Sequence, residues 1–408
     1  MAGTEVTGEM PRIFTTVAEA AVPIDMAVVT DIGALEPCWR ALEPRAVGSP
    51  FQRFDFYDAW LRRLAPAGTE PLVVAGRRAG ALAMVLPLVT RRIGPIRIAE
   101  FAGGSHANYN TGLFDKAIWP ALDGSLATRV RAAVADARRD VDMLRLGYQP
   151  VQMRGHANPL LDETSRPAPH FAYDLSLDGD FEAVLQRHKG SKKRKRLRSH
   201  AKAFADVGGY RVEIAGDVDS AKAVVRAFLD QKAARLAAQG LPNVFGLPGT
   251  AEFLLDLVER GAANGGGLID CYALRHEEGI SATGIALPYA GAQFFVMNSF
   301  ADDRFARVSP GEITLHHIIA DAAARGFDTF DFGIGDARYK RSWCDREVEL
   351  AETVMPLTAK GALAARLHAF GRRTRTVIRN NPTLHRLAQR FRRDRMADGD
   401  QDGGDGDD

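Results

Sequence analysis

The sequence predicts a mixed α/β fold of the α+β kind, and two observations lead to this prediction. Helix-like and strand-like segments are interspersed without the strict alternation that produces a doubly wound parallel sheet. Three strand-like segments follow one another between residues 268 and 300, which is the pattern of an antiparallel meander. The chain has 408 residues, 46% hydrophobic and 25% charged, which suffices for roughly two to three domains with full cores.

The first predicted unit covers residues 31–157 and follows a leader, 1–30, that lacks sustained periodicity and is expected to be flexible. Apolar residues at helical spacing predict helices at 55–64 and 121–139. Strands are predicted at 71–78, 81–92, 96–101 and 142–146. Helices and strands therefore alternate in this unit, and a turn at Gly80 joins its first two strands.

A proline-rich linker at 158–169 is predicted to lead into a second unit, 170–358. Its predicted helices are 180–187, 191–206, 217–240, 250–262 and 309–325, and its predicted strands are 171–175, 210–215, 268–275, 280–289, 292–300, 327–332 and 347–357. Asp217 and Gly240 are typical first and last residues of a helix. The strand at 292–300 is apolar on both faces until Asn298 and Ser299, so its polar groups are expected only where it leaves the sheet.

Charge is balanced in total but unevenly distributed, with 53 Lys and Arg against 51 Asp and Glu. Residues 359–395 hold eleven basic residues and one acidic residue and predict two basic helices, whereas the acidic tail, 396–408, is predicted to be disordered. Three scattered cysteines indicate a reducing compartment, and the first residues lack the features of a secretory signal. A cytoplasmic protein without a transmembrane segment is therefore expected.

The residues at 307–312 allow two interpretations. Ser309, Pro310 and Glu312 are suited to cap a helix without any ligand. Alternatively, Gly311 lets a ligand approach the backbone, and the helix dipole, its free amide groups and Arg307 bind an anion. The Glu312 carboxylate would compete with such an anion. The residues alone leave both interpretations open.

The segment 331–343 follows a predicted strand and concentrates ionisable side chains beside two glycines. Its ionisable residues include Asp331, Asp336, Arg338, Tyr339 and Lys340. Loops at strand ends often carry catalytic groups, and a tyrosine can act as a general acid and an aspartate as a general base. Equally, such side chains can hydrogen-bond the loop to itself. No dinucleotide site is predicted, because an arginine occupies the position of the third glycine.

A basic run and a pair of histidines are two further motifs of the sequence. The run at 188–202 is the densest positive patch, and it is either a solvated helix face or a site for RNA, anionic lipid or the phosphates of a large cofactor. The adjacent His316 and His317 predict no metal site, because neighbouring helix residues point in different directions and no third ligand has a suitable spacing.

Together these motifs resemble the GNAT-type acyltransferases of the CelD/BioF2-like (cellulose biosynthesis) group, distant relatives of the Fem aminoacyl transferases. The similar phrases are KGSKKRKRLRSHAK, the exit residues Asn298 and Ser299, and RFARVSPGEITLHHIIADAAARGFDTFDFGIGDARYKRSWC, with weaker similarity in SPFQRFDFYDAW and SHANYN. They cover most of residues 185–345. The resemblance implies tandem GNAT-like domains, each a mostly antiparallel twisted sheet flanked by helices, the first partial and the second holding the acyl-CoA site.

The resemblance also implies an activity, the direct transfer of an acyl group from acyl-CoA to an amine or hydroxyl, without a metal. Tyr339 is the expected general acid near the leaving thiolate, and Asp331 or Asp336 the expected base. The residues expected to bind the donor are Asn298, Ser299, Arg307, Ser309 and Gly311. Those expected to contact the acceptor are Asn108, Tyr109, Arg338 and Lys340.

Two alternatives remain open. A Fem-like transferase would take its acyl group from aminoacyl-tRNA and bind RNA through 188–202 and the basic helices. A non-catalytic GNAT fold would serve as a binding component of an envelope polysaccharide system. This alternative is favoured by residues 307–312, which depart from the phosphate-loop pattern of GNAT enzymes, Arg/Gln-x-x-Gly-x-Gly/Ala: Gly311 is displaced by one position and Glu312 replaces the last small residue. The acceptor, a small molecule or a saccharide, is not identified by the sequence, and the polysaccharide link rests on the family label alone. The basic helices also allow peripheral contact with a membrane.

Overall fold

The computed structural model describes residues 23–380, without the side chains of Arg338 and of residues 373–380. Most of the predicted leader, the last part of the predicted basic helices and the predicted acidic tail lie outside the described residues. Among residues 23–380, no helix is long and apolar enough to cross a membrane.

The first half of the chain is rich in strands. They are β1 (Asp25–Val29), β2 (Ala46–Val47), β3 (Glu70–Arg78), β4 (Ala81–Ile93), β5 (Ile96–Phe101), β6 (Leu113–Asp115), β7 (Met143–Pro150), β8 (Gln152–Met153), β9 (His156–Ala157) and β10 (Arg166–Pro167). The helices of this half are α1 (Glu36–Leu42), α2 (Phe54–Arg63) and α3 (Ser125–Ala137).

In the second half, helices and strands are equally prominent. The strands are β11 (Ala172–Ser176), β12 (Arg211–Ile214), β13 (Asp270–His276), β14 (Gly279–Tyr289), β15 (Ala292–Phe300), β16 (Thr329–Ile334), β17 (Arg346–Val348) and β18 (Leu350–Pro356). The helices are α4 (Phe181–Arg187), α5 (Gly190–Ala201), α6 (Val218–Ala238), α7 (Thr250–Ala263), α8 (Pro310–Ala324), α9 (Arg338–Arg341) and α10 (Ala359–Asn380). Asp217 caps α6 as expected, accepting a hydrogen bond of 2.7 Å from the Ser220 amide.

Two large, mostly antiparallel sheets result. The first has the order β1-β3-β4-β5-β7-β18-β10, with β6 joining β4 to β2, and the second has the order β12-β13-β14-β15-β16-β11-β17. The parallel pairs are β5 with β7 and β15 with β16. Helices α6 and α8 contact the meander of β13, β14 and β15. The predicted mixed α/β fold is confirmed.

The sheets cross the predicted unit boundaries at three places. Strand β18, expected in the second unit, pairs with β7 of the first sheet, and β10 of the predicted linker pairs with β18. Strand β1, inside the predicted leader, pairs with β3. The physical reason is that β7 would otherwise leave an unpaired sheet edge, and the apolar side chains of β18 fit the first core as well as the second. The chain therefore returns to its first sheet after completing its second.

One apolar core extends across both units. It contains Trp39 and Phe56 from the first unit and Phe228 and Phe253 from the second. Ion pairs join α2 to α7 beside this core: the guanidinium group of Arg260 lies 2.7 Å from the buried Asp58 carboxylate and 3.5 Å from that of Asp55. The two units therefore have a shared, well-packed boundary.

Candidate active site

The two central strands of the second sheet separate part of the way along their length. Strands β15 and β16 are paired only from Ala292–Phe294 to Thr329–Asp331. A bulge at Val296 shifts the register between β14 and β15 just beyond this point. Bulges of this kind bend a strand and often lie next to functional sites. The separation opens the sheet beyond Phe294 and Asp331.

Asp331 lies at the last paired position, and the residues after it form a second bulge. Asp331 is opposite Asp174 and Gly333 is opposite Tyr173, so that Phe332 is the extra residue. Gly333 has a φ of +69° and its Cα lies against the Asn108 side chain, leaving no room for a Cβ. Its amide donates a 2.7 Å hydrogen bond to Oδ1 of Asp331. The bulge therefore fixes the direction of this carboxyl group.

The first unit supplies the other partner of Asp331. Tyr109, 5% exposed, donates a hydrogen bond from its hydroxyl group to Oδ2 of Asp331. Its ring contacts that of Phe294, with 6.1 Å between centroids, and its carbonyl accepts a hydrogen bond from the side chain of Gln52. The structure thus brings Tyr109, from the weaker motif SHANYN, to the predicted base Asp331, and Asn108 of the same motif to Gly333.

Lys340 completes what we call the Asp331 cluster, formed by Tyr109, Asp331 and Lys340. The ammonium group of Lys340, 7% exposed, donates hydrogen bonds of 2.8 Å to the carbonyl of Ile334 and 3.3 Å to that of Gly333. No ion pair within 4.0 Å holds this ammonium group in the described part of the chain. It is a buried cation held by backbone dipoles close to a buried acid.

Burial changes the proton affinity of all three groups. It raises the pKa of Asp331 to about 7, and nearby Asp174 adds to this, whereas the hydrogen bonds from Tyr109 and Gly333 and the charge of Lys340 oppose it. Burial lowers the pKa of Lys340 to about 8 against the attraction of Asp331 and Asp336. Burial also raises the pKa of Tyr109 well above its ordinary value. An acid near 7 and an ammonium near 8 are suited to proton transfer at neutral pH.

The remaining predicted residues of the 331–343 segment differ in their surroundings. Tyr339 is half-buried against Phe332, and burial raises its pKa to about 12. Asp336 is exposed and forms an ion pair with Arg341. Arg338 begins α9, and its side chain lies outside the described part. Of the two predicted bases, the structure places only Asp331 in the cluster.

Asn298 and Ser299 lie on β15 after it has separated from β16, roughly 13 Å along the strand from Phe294. The carbonyl of Asn298 accepts a hydrogen bond of 3.3 Å from Lys232 on α6. The Ser299 hydroxyl is 1% exposed and has no hydrogen-bond partner among the described residues. A buried hydroxyl without a partner is costly, and a ligand carbonyl would satisfy it.

Of the two interpretations of the start of α8, capping by Ser309 is wrong, although Pro310 does lie in the first turn of the helix. Ser309 has φ and ψ of 53° and 60°, a left-handed conformation, and its hydroxyl makes no capping hydrogen bond. Capping by serine needs the extended conformation at this position. Glu312 instead pairs with Arg196 of α5 at 2.8 Å. Arg307 is exposed, and a Cβ on Gly311 would make only an ordinary contact with Phe300, so the fold itself does not require glycine there.

Sequence reasoning missed a second buried pair beside the cluster. Asp174, 8% exposed, is bound by the guanidinium group of Arg346 at 2.7 Å and 3.1 Å. Burial raises the pKa of Asp174, while Arg346 opposes this. The available signal was an acidic residue in the otherwise apolar strand β11. Arg346 gives no comparable signal, because its partner is distant in the sequence.

The basic run at 188–202 forms α5 and part of the turn after it. Leu197 faces the protein, and the ammonium group of Lys193 lies 3.7 Å from the centroid of the Trp343 ring. Lys192, Lys195 and Arg198 are exposed. No group of three or more His, Cys, Asp or Glu suited to a metal ion occurs between residues 23 and 380.

Comparison with known proteins agrees with this architecture. Residues 191–341 match a family model described as an acetyltransferase (GNAT) domain. A search of curated proteins found no match. Among solved structures, FemX is 9% identical with a TM-score of 0.52, covering 80% of this chain and 96% of FemX. A conserved protein of unknown function from Bacteroides thetaiotaomicron is 12% identical with a TM-score of 0.51, covering 82% of this chain and 99% of that one. Both likenesses show a shared fold that extends over the two units.

Proposed function

We propose that this protein, whose residues 191–341 match a GNAT acetyltransferase domain, is an acyltransferase that moves an acyl group from acyl-CoA to an amine or hydroxyl acceptor. The observation that carries the proposal is the Asp331 cluster, which lies where β15 and β16 separate and draws side chains from both units. Direct acyl transfer requires a base and an acid that exchange protons at neutral pH, held beside a space for the two substrates. The cluster offers both groups at the point where the sheet opens.

The reaction forms one bond and breaks one. The acceptor nitrogen or oxygen attacks the thioester carbonyl carbon, its proton passes to Asp331, the carbon–sulfur bond breaks and the thiolate takes up a proton. The resemblance to GNAT-type acyltransferases implies that Tyr339 supplies that proton. The pKa values favour Lys340, because an acid with a pKa of about 8 gives up its proton to a thiolate more readily than one of about 12.

The donor is proposed to extend from the start of α8 to the cluster. Arg307, Ser309 and Gly311 would contact its phosphates, and Asn298 and Ser299 its acyl end. The unpartnered Ser299 hydroxyl supports this placement. The acceptor is proposed to be a small molecule or a saccharide of an envelope polysaccharide, and Asn108, Arg338 and Tyr109 would lie on its side of the site.

A Fem-like donor, aminoacyl-tRNA, is the second candidate. It is supported by the shared fold with FemX over both units and by the exposed basic side of α5. Binding through lysines and arginines would weaken steeply as salt concentration rises. Acyl-CoA carries far fewer phosphates than tRNA, so its binding depends on salt much less.

Donor titration tests the proposal. Calorimetry with CoA, acetyl-CoA and aminoacyl-tRNA is expected to show saturable CoA binding that Gly311→Asp and Arg307→Ala weaken, with Arg304→Ala as the control for a nearby exposed arginine. Salt-sensitive binding of aminoacyl-tRNA alone would favour the Fem-like donor. Binding of neither donor would contradict an acyltransferase and favour a non-catalytic GNAT fold.

A further inference from the structure

Helix α10 presents an apolar stripe to solvent. Leu363, Leu367 and Phe370 are 60%, 64% and 71% exposed, the highest values among the large hydrophobic residues of the described part. Their spacing of four and three residues places them on one side of the helix. Single exposed leucines are common on protein surfaces, whereas a contiguous apolar stripe marks an interaction surface.

The opposite side of α10 contacts the first sheet through small and polar residues. Gly361 lies so close to the backbone carbonyl of Asp142 that a Cβ would overlap it. Nε2 of His368 lies 3.1 Å from the Glu352 carboxylate of β18, with which Arg372 also pairs. An ordinary surface helix turns its apolar residues toward the core. In α10 Leu363 and Leu367 point away from it, so packing against the first sheet does not explain these two leucines.

Positive charge flanks the stripe. Arg366 is exposed between Leu363 and Leu367. The side chain of Lys360 is 64% exposed, and its ammonium group lies 3.5 Å from the Asp142 carboxylate. The sequence of the helix continues with Arg373, Arg375 and Arg379 and contains no acidic residue. Helices that lie in the interface of anionic membranes combine an apolar side with lysines and arginines in this way.

We propose that the exposed side of α10 binds the surface of a bilayer that carries anionic lipids. Leu363 and Leu367 would enter the headgroup region, and the basic residues would lie against lipid phosphates. This proposal does not depend on the acyl-transfer reaction.

Other occupants of the stripe fit the charges less well. A second copy of α10 would bring two basic helices together. Residues 381–395 add five more arginines, so they too would be repelled. The acidic tail at 396–408 has the right charge, but Met396 and Ala397 are its only apolar residues, too few to cover the stripe.

Vesicle cosedimentation of the full chain tests the proposal. The protein is expected to bind vesicles that contain phosphatidylglycerol and to ignore vesicles of phosphatidylcholine alone at physiological salt. Leu363→Ser combined with Leu367→Ser is expected to weaken binding by about tenfold or more. The control is Leu241→Ser combined with Leu247→Ser, which changes two leucines that are 51% and 57% exposed on another surface. Arg366→Glu should also weaken binding to the phosphatidylglycerol vesicles, because it replaces a positive charge beside the stripe with a negative one.

Three results would overturn the proposal: no binding of the unaltered protein to phosphatidylglycerol vesicles, equal loss in the two double variants, or a concentration-dependent dimer that the α10 variant abolishes without any vesicle binding. Unchanged melting temperature and circular dichroism would show that the variants fold, which is expected because the altered side chains are exposed.

Discussion

Asp331 and Lys340 are the two residues whose chemistry the fold changes most directly. Asp331 keeps its proton up to about pH 7 and Lys340 loses its proton near pH 8, since both are buried and only partly compensated by their partners. Between these values Asp331 is mostly ionised and can accept a proton, and Lys340 is mostly protonated and can donate one. This narrow window is the physical basis for acid and base catalysis at the site.

The Asp331 pKa predicts how stability depends on pH. The folded protein binds more protons than the unfolded chain between the ordinary pKa of 3.8 and about 7, so this group lowers the free energy of unfolding as pH rises through that range. Asp331→Asn removes the effect. The difference in the free energy of unfolding, variant minus unaltered protein, should therefore increase by roughly 3 kcal/mol from about pH 5 to about pH 8. Urea unfolding at both pH values measures the gain, and an equal stability difference at the two would contradict the raised pKa.

Tyr109→Phe should move the pH profile of catalysis. The variant removes a hydrogen bond that stabilises the ionised form of Asp331, so the pKa of this carboxyl should rise. The acid side of the profile of kcat/KM against pH should therefore shift upward. If the variant lowers kcat/KM equally at every pH and leaves the position of the acid side unchanged, Tyr109 supports the fold without acting on Asp331. Tyr339→Phe is the control for loss of a nearby tyrosine hydroxyl.

At the scale of elements, strand β16 does two tasks. Its first half joins the sheet, and its bulge turns Asp331 toward the first unit while Gly333 makes room for Asn108. The bulge of β15 helps to open the neighbouring strand. The shape of the site is thus set by irregularities in two strands rather than by a loop.

Gly333→Ala should cost more stability than Gly335→Ala. Both glycines have positive φ, so both variants strain the backbone, but the added methyl group meets Asn108 only at 333 and nothing within 4 Å at 335. We expect a loss of about 1–3 kcal/mol at 335 and a clearly larger loss at 333. Combining Gly333→Ala with Asn108→Ala should recover part of the difference. Equal losses in urea unfolding would show that the close approach to Asn108 is unimportant.

At the scale of the molecule, the two units depend on each other. The site needs Tyr109 from the first unit. Strand β18, from the second half of the chain, pairs with the first sheet. A shared apolar core and the ion pairs of Arg260 join the two units. The whole described chain should therefore unfold in one transition, and residues 170–358 should not fold alone.

Arg260→Met tests this boundary. It removes a cation from the buried carboxylates of Asp55 and Asp58, which are 1% and 4% exposed and retain Arg40 and Arg62 as partners. We expect the free energy of unfolding to fall by about 2–3 kcal/mol with a single transition retained. Arg63→Met, which loses only a longer contact of 3.5 Å to Asp256, should cost less than about 1 kcal/mol. Two separate transitions would contradict the shared boundary.

The sequence predicted most helices and strands because hydrophobic periodicity is local, as in α6 and β15. It indicated Tyr109 and Asp331 separately but not their contact, because residues 222 positions apart meet only through tertiary packing. It placed β18 in the second unit, whereas β18 pairs with β7 of the first sheet, because an apolar strand fits either core. It missed the left-handed Ser309 because the sign of φ there is decided by the preceding turn, and no residue type reveals that.

The rate of acyl transfer by two matched variants tests most directly whether the Asp331 cluster is the acyl-transfer site. Asp331→Asn and Asp336→Asn make the same chemical change, one in the buried cluster and one on an exposed ion pair. Transfer from acetyl-CoA and from aminoacyl-tRNA would be measured with a panel of amine and hydroxyl acceptors. If the Asp331 cluster is the acyl-transfer site, Asp331→Asn lowers kcat/KM by about a hundredfold or more while Asp336→Asn changes it by about threefold or less. Equal effects of the two variants, or an active Asp331→Asn protein, would contradict this account.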